Sequence, residues 1–163
     1  MCMRIGVISD THVPKKEKAL PEAALAAFRG ADLILHAGDL TVAAVLDELQ
    51  RLAPVVAVAG NNDSPELAER LGTTRLLELS GYRIGLAHGH VGMGKTTAER
   101  ALSHFPGADC VVFGHSHIPY NQMHGATLAF NPGATVGGIR APRGSYGILL
   151  LEPGGIKADV FHI

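Results

Sequence analysis

The sequence predicts an α/β sandwich of two sheets with helices on the outside. In the first part of the chain, apolar runs of strand length alternate with stripes of helical period. That order implies parallel strands joined by right-handed crossovers. The pattern then changes to short β-rich runs punctuated by Gly and Pro, which adds antiparallel strands. The chain has 163 residues, of which 47% are hydrophobic and 18% charged, enough to bury a substantial core. No repeat, low-complexity segment or linker interrupts it, so a single domain over residues 1–163 is expected.

The elements follow in order. Residues 3–9 read as a central strand that ends in Asp10-Thr11-His12. Pro14 and the charges of residues 15–18 make a loop. Residues 19–29 form a helix with Leu20, Ala23, Ala24, Ala27 and Phe28 on one face, closed by Gly30. Residues 32–36 are the second strand and run into Ala37-Gly38-Asp39. Thr41 is the expected cap of a helix whose stripe is Val42, Val45, Leu46, Leu49 and Leu52. After Pro54, residues 55–58 form a third strand leading to Gly60-Asn61-Asn62-Asp63. Ser64-Pro65 then opens a short helix to Leu71, a cap followed by proline at the first helical position.

Residues 75–79 and 82–87 flank Ser80-Gly81 as a β-hairpin, and the second strand ends in His88-Gly89-His90. Residues 95–105 carry a helical stripe through Ala98, Ala101, Leu102 and Phe105. Residues 109–113 are a buried strand before Gly114-His115-Ser116-His117. Residues 120–124, 127–130, 146–151 and 156–161 complete the β-rich part.

Composition excludes several classes. Net charge is −1 and there is no long basic run, so an extended nucleic-acid surface is not expected. No apolar run approaches membrane-spanning length, and the first ten residues lack the form of a signal peptide. A soluble, cytoplasmic protein without a membrane partner is expected. Cys2 and Cys110 form neither a disulfide framework nor a C-x-x-C site, and Cys110 reads as a small core residue.

Five strand ends carry metal-ligand residue types: Asp10 and His12, Asp39, Asn61, His88, then His115 and His117. Each has a bland explanation alone, as a helix cap, a turn residue or a satisfied histidine. Parallel strands present their carboxyl ends on one edge of a sheet, so a shared site is the economical account. Mixed N/O ligation without thiolate suits Mn²⁺, Fe, Zn²⁺ or Ni²⁺. Two metals roughly 3.5–4 Å apart need a bridging carboxylate, and Asp39, from a central strand, is the candidate.

These blocks, Asp10-x-His12, Gly38-Asp39, Gly60-Asn61-x-Asp63, His88 and Gly114-His115-x-His117, resemble the calcineurin-like metallophosphoesterase superfamily. The small size and Asn131-Pro132-Gly133 look most like its compact prokaryotic phosphodiesterase branch. The resemblance implies a four-layer α-β-β-α sandwich of two mixed sheets and a dinuclear site. Asp10, His12, Asp39 and His117 would hold one divalent ion, and Asp39, Asn61, His88 and His115 the other, with Mn²⁺ the leading choice. It implies a metal-dependent phosphodiesterase acting on small phosphodiesters through a hydroxide activated by both ions.

One position departs from the family pattern Gly-Asn-His-Asp/Glu, whose His, by the resemblance, stabilises the transition state or protonates the leaving group. Here Asn62 stands there. Asn62 would instead donate to a phosphoryl oxygen, and His90 is the substitute acid or else a residue that supports the ligands from behind or faces solvent. Without a good acid, aryl leaving groups are favoured. Arg140 and Arg143 either steady the substrate phosphate or are solvated loop charges. The apolar C-terminal strands would suit a homo-oligomer interface.

Two rivals remain at this stage. Residues 89–96 match the phosphate-binding P-loop letter for letter, between a predicted strand and a predicted helix. That reading leaves the other strand-end residues unexplained. The same fold is also known as a non-catalytic protein-binding scaffold in the retromer complex, with an impaired metal site, whereas the ligand set here is full.

Overall fold

A computed structural model describes residues 2–13, 19–136 and 144–163. In chain order its elements are β1 (Met3–Ile8), α1 (Glu22–Phe28), β2 (Leu33–His36), α2 (Ala44–Gln50), β3 (Val55–Ala57), α3 (Pro65–Leu71) and β4 (Thr74–Leu79). There follow β5 (Tyr82–Ala87), α4 (Thr97–Leu102), β6 (Cys110–Val112), β7 (Tyr120–His124), β8 (Thr127–Asn131), β9 (Ser145–Glu152) and β10 (Gly155–His162).

The strands form two five-stranded sheets, ordered β10-β9-β1-β2-β3 and β4-β5-β6-β8-β7. Both are mixed. In the first, β1, β2 and β3 run parallel, with Ile5 opposite Leu33 and Ile34 opposite Val55, while β9 and β10 add antiparallel. In the second, β5, β6 and β8 are parallel, and β4 and β7 close the edges antiparallel.

The layers follow from which face of each strand is apolar. Ile5, Val7 and Leu35 of the first sheet pack against Ile84, Leu86, Val112 and Phe130 of the second, and this interior holds the sheets together. The other face of the first sheet, through Ile8 and Ile34, buries Phe28 of α1 and Val45, Leu46 and Leu49 of α2. The other face of the second, through Val111 and Ala129, buries Ala98 and Ala101 of α4 together with Phe105. The order is helix, sheet, sheet, helix. Cys110 lies in the central interior, where burial pushes its thiol up to about 12, and Cys2 is exposed; neither is in a disulfide.

The helices are shorter than their stripes suggest, for local reasons. α1 starts only after Pro21. α2 starts at Ala44, with Ala43 and not Thr41 at its cap. Thr41 has φ 73° and its amide donates to Asp63 Oδ1 at 2.7 Å, so it serves the neighbouring loop instead. α3 is capped as expected, Ser64 Oγ accepting from the Leu67 amide at 3.2 Å with Pro65 in the first turn. α4 starts at Thr97 behind a Thr96/Glu99 capping box. Among the described residues no helix is long and apolar enough to cross a membrane.

Candidate metal centre

The loops after β1, β2, β3, β5 and β6 all leave carboxyl ends of strands, but they come from both sheets. The expectation of a single sheet edge is corrected here. The first sheet contributes Asp10, His12, Asp39 and Asn61; the second contributes His88, His115 and His117. The sheets stack so that the two sets face each other, the His115 amide donating across to Asp10 Oδ2 at 3.1 Å. Within the sheets, Asp10 N donates to Gly38 O (3.0 Å), His12 N to Asp39 O (3.1 Å) and Gly114 N to His88 O (3.0 Å).

Backbone strain is concentrated at this place. Asp10, His12, Asp39, His115 and His117 all have positive φ, from 47° to 69°. Left-handed backbone is costly for residues with a Cβ, and it persists where surrounding structure over-determines it, commonly at functional sites. Packing leaves no spare room either. A Cβ on Gly38 (φ 104°) would lie 2.7 Å from His88 Nδ1, and one on Gly114 would lie 2.7 Å from Asp10 Oδ2.

The side chains form two overlapping sets. Asp10, His12, Asp39 and His117 offer ligand atoms that lie within 4.8 Å of one another. Asp10 Oδ1 is 3.3 Å from His117 Nε2 and 3.8 Å from His12 Nε2. In the second set, Asn61 Oδ1 is 3.0 Å from His88 Nε2 and 3.1 Å from His115 Nδ1. Asp39 Oδ2 touches both sets, 3.6 Å from His12 Nε2 and 3.4 Å from His88 Nε2. Asp10, His12, Asp39 and His88 are buried, His115 and His117 are half-buried, and Asn61 is exposed. The cluster is therefore walled at its base and open on one side.

These groups fit a divalent cation. Asp10 Oδ1 and His12 Nε2 are buried without a hydrogen-bond partner, and such orphaned atoms need an unseen partner. His88 Nδ1 meets the Ala37 carbonyl at 2.7 Å, which fixes a proton on Nδ1 and turns the other nitrogen to the cluster. Burial pushes the Asp10 carboxyl up, but the imidazoles of His117, His12 and His88 outweigh it and hold Asp10 well below the usual carboxylate range. Asp39 is held low in the same way, mainly by His88 against its own burial. Burial also opposes charge on His88, yet Asp39 and Asp10 hold it above the ordinary imidazole value. Burial lowers His115, with His88 adding to the effect.

Several residues without a sequence-based role position the site. Asp63 accepts three backbone amides: Asp39 N (2.9 Å) and Gly60 N (2.8 Å) on Oδ2, and Thr41 N (2.7 Å) on Oδ1. It thereby ties the loop after β2 to the loop after β3. Asn131 donates to Gly114 O (2.9 Å) and Ser116 Oγ (3.1 Å), which anchors the His-x-His loop from β8. Ser9 Oγ and the His115 amide both donate to Asp10 Oδ2, at 2.7 and 3.1 Å. His36 is fully buried, takes the Gly38 amide on Nδ1 (3.1 Å) and donates from Nε2 to Thr11 Oγ1 (3.1 Å). Burial pushes its imidazole down to about 3, so it is neutral. Asp63 and Asn131 stand in the motifs quoted above; His36 had only its place at the end of an apolar strand to mark it.

Asn62 lies at the opening. Its amide nitrogens, Nδ2 and backbone N, donate to Asp39 Oδ2 (2.8 Å) and Oδ1 (2.9 Å). His90 sits beside the second set, with ring centroids 5.3 Å from His88 and 6.2 Å from His115. Its Nδ1 is buried without a partner, and burial together with His88 lowers its basicity. Arg140 and Arg143 lie outside the described residues.

The P-loop lookalike has a different use. Glu99 Oε2 accepts from Lys95 N at 2.7 Å and Thr96 N at 3.4 Å, the amides that would otherwise meet a phosphate. Arg100 grips Gly89 O and Lys95 O, at 3.0 and 3.2 Å, and holds the loop on α4.

Imidazoles, carboxylates and one amide oxygen, gathered without thiolate at the carboxyl ends of strands, make a candidate site for divalent metal. A family model described as the calcineurin-like phosphoesterase superfamily domain matches residues 3–154. The chain is 42% identical over 159 residues to a probable metallophosphoesterase of Methanothermobacter thermautotrophicus, across 96% of this chain and 90% of that relative. It is 29% identical over 173 residues to phosphodiesterase YfcE of Escherichia coli, across 90% and 87%. Among solved structures, Vps29 of Entamoeba histolytica complexed with Zn²⁺ matches with a TM-score of 0.76 and 26% identity, over 98% of this chain and 99% of that one. The chain belongs to the calcineurin-like phosphoesterase superfamily and is a phosphoesterase.

Proposed function

We propose that the protein is a phosphodiesterase that hydrolyses small phosphodiesters and uses two divalent ions. Asp10, His12, Asp39 and His117 would hold one ion, and Asp39, Asn61, His88 and His115 the other. The observation that carries this reading is Asp39 Oδ2, 3.6 Å from His12 and 3.4 Å from His88, one oxygen shared between two sets of imidazoles. When bound, two such ions supply an activated water and neutralise charge on the phosphoryl oxygens. Mn²⁺ is the proposed native ion, one of those, with Fe, Zn²⁺ and Ni²⁺, that an N/O donor set without sulfur accepts.

The chain's own residues set the rest. Asn62 fixes the orientation of Asp39 with one N–H of Nδ2 and has a second N–H to offer a phosphoryl oxygen at the opening. His90 is held neutral near pH 7 by burial and by His88, which makes it a weak source of protons for a leaving group. Poor proton donation favours leaving groups that depart as stable anions, such as aryl oxides.

The test is hydrolysis of bis(p-nitrophenyl) phosphate by chelated protein, by Mn²⁺-reloaded protein and by Asp39→Asn. Activity is expected only in the reloaded wild type, at least ~100-fold above the variant. The likeness to Vps29 and the presence of Asn62 favour a second reading, a metal-containing protein-binding scaffold of the same fold. Reloaded wild type that binds metal stoichiometrically and turns over no phosphate ester would select that reading.

A further inference from the structure

A cavity of about 250 Å³ lies directly behind the His-x-His loop, lined by Phe113, Ser116, Ile118 and Tyr120 with Thr96 and Thr97 at the start of α4. We propose that this cavity receives the aromatic ring of the phosphoester's organic group, a nucleobase in a nucleotidyl substrate. The inference rests on the phosphodiesterase reading above and names its substrate class.

Position is the first argument. Ser116 stands between His115 and His117, so the cavity wall and the metal-facing imidazoles belong to one short loop. A phosphoester held at the centre would extend its organic group over that loop. The larger cavity, of about 480 Å³, is lined by Tyr82 and Asp109, at the amino ends of β5 and β6. It lies at the far end of the strands and cannot share a ligand with the metal residues.

Chemistry is the second. Phe113 and Tyr120 meet edge to face, with centroids 5.8 Å apart, and His124 holds the Tyr120 hydroxyl at 2.7 Å. Phe113 is buried and backs the wall, and half-buried Tyr120 offers the ring surface on which a planar group can stack. Ile118 is half exposed and offers the cavity mouth an apolar surface that a ring can cover. Thr96 Oγ1 accepts from Glu99 N and Thr97 Oγ1 accepts from Arg100 Nη2, so each hydroxyl keeps its own hydrogen for a ring nitrogen or carbonyl. Size is the third. Pockets for whole small ligands run from about 300 to 1,000 Å³, and this smaller one suits a single ring system whose phosphate lies outside it.

The test compares adenosine 5′-monophosphate with ribose 5-phosphate, which differ only in the base, as inhibitors of bis(p-nitrophenyl) phosphate hydrolysis by Mn²⁺-loaded protein. The nucleotide is expected to bind about tenfold more tightly or better, as base stacking on an aromatic side chain implies. That ratio should fall below about threefold in Tyr120→Ala and in Ile118→Ser, the latter at an exposed position that does not threaten folding. Separately, adenosine added to metal-free protein should shift the Ile118 methyl resonances. Equal inhibition by the two phosphates in an active wild type overturns the proposal, as does a ratio that survives both substitutions. A wild type without hydrolysis would overturn the phosphodiesterase reading, and the Ile118 resonances would then decide the cavity: unmoved, they overturn it as well.

Discussion

Asp63→Asn tests whether the centre depends on a residue that holds no metal. The carboxylate accepts two amides on Oδ2 and one on Oδ1, from Asp39, Gly60 and Thr41. An asparagine can turn its one oxygen to the Asp39 and Gly60 amides, but its NH₂ then faces the Thr41 amide, donor against donor. One charge-assisted bond is lost outright, and the other two become neutral. Hydrogen bonds to charged groups contribute about 1.5–3 kcal/mol each. Asp63 is half-buried, and water can replace part of the loss, so a net destabilisation of about 2 kcal/mol is expected. For a chain of this length that is a fall in Tm of roughly 4–8 °C. Asp39 rides on the same loop, so Mn²⁺ affinity should weaken about 10–100-fold, the usual cost of losing a group that orients a ligand. Thermal melts of chelated protein and calorimetric titration with Mn²⁺ read the two effects apart. A variant with unchanged Tm and metal affinity within twofold of wild type would refute the clamp.

Three further outcomes are expected. The metal-free protein should be most stable near pH 6.5. His36 has a folded-state value depressed to about 3 by burial, and burial lowers His90 and His115 too, so stability is lost as pH falls from 6.5. His36 alone accounts for up to about 1.4 kcal/mol per pH unit over that window. His88 is raised by Asp39 and Asp10 against its burial, so its contribution is complete below 6.5 and is lost as pH rises through its folded value. Melting temperatures of chelated protein from pH 4.5 to 8.5 check both limbs; a Tm that climbs steadily toward pH 4.5 would contradict the burial of neutral His36. Asn62→His should raise turnover of alkyl phosphodiesters more than that of aryl ones, by about tenfold or better, because an alkoxide needs the proton most. Equal gains on both substrates would argue against missing acid catalysis. Lys95→Ala should leave hydrolysis within about twofold of wild type, since Glu99 and not phosphate occupies the adjoining amides; loss of a nucleotide-dependent activity in this variant would restore the P-loop reading.

The sequence by itself determined the sandwich and the strand ends that carry the candidate ligands. Alternation of strand and helix and the apolar faces of β1, β2, β5 and β6 are local patterns, legible because periodicity depends only on near neighbours. The strand-end motifs are local as well, so Asp10, His12, Asp39, Asn61, His88, His115 and His117 could be named before any geometry. Tertiary structure decided how they meet. The strand ends of two sheets face each other, and it is this stacking that sets Asp39 Oδ2 within 3.4–3.6 Å of an imidazole from each. It also recruited Thr41 away from its helix, because Asp63, 22 residues later, offers a charged acceptor to its amide. The residue string of 89–96 is that of a phosphate loop, and only the fold shows Glu99 on its amides. Neither Asp63 under Asp39 nor Asn131 under the His-x-His loop could be read from spacing, because each bond joins segments that chain order leaves apart and only packing brings together.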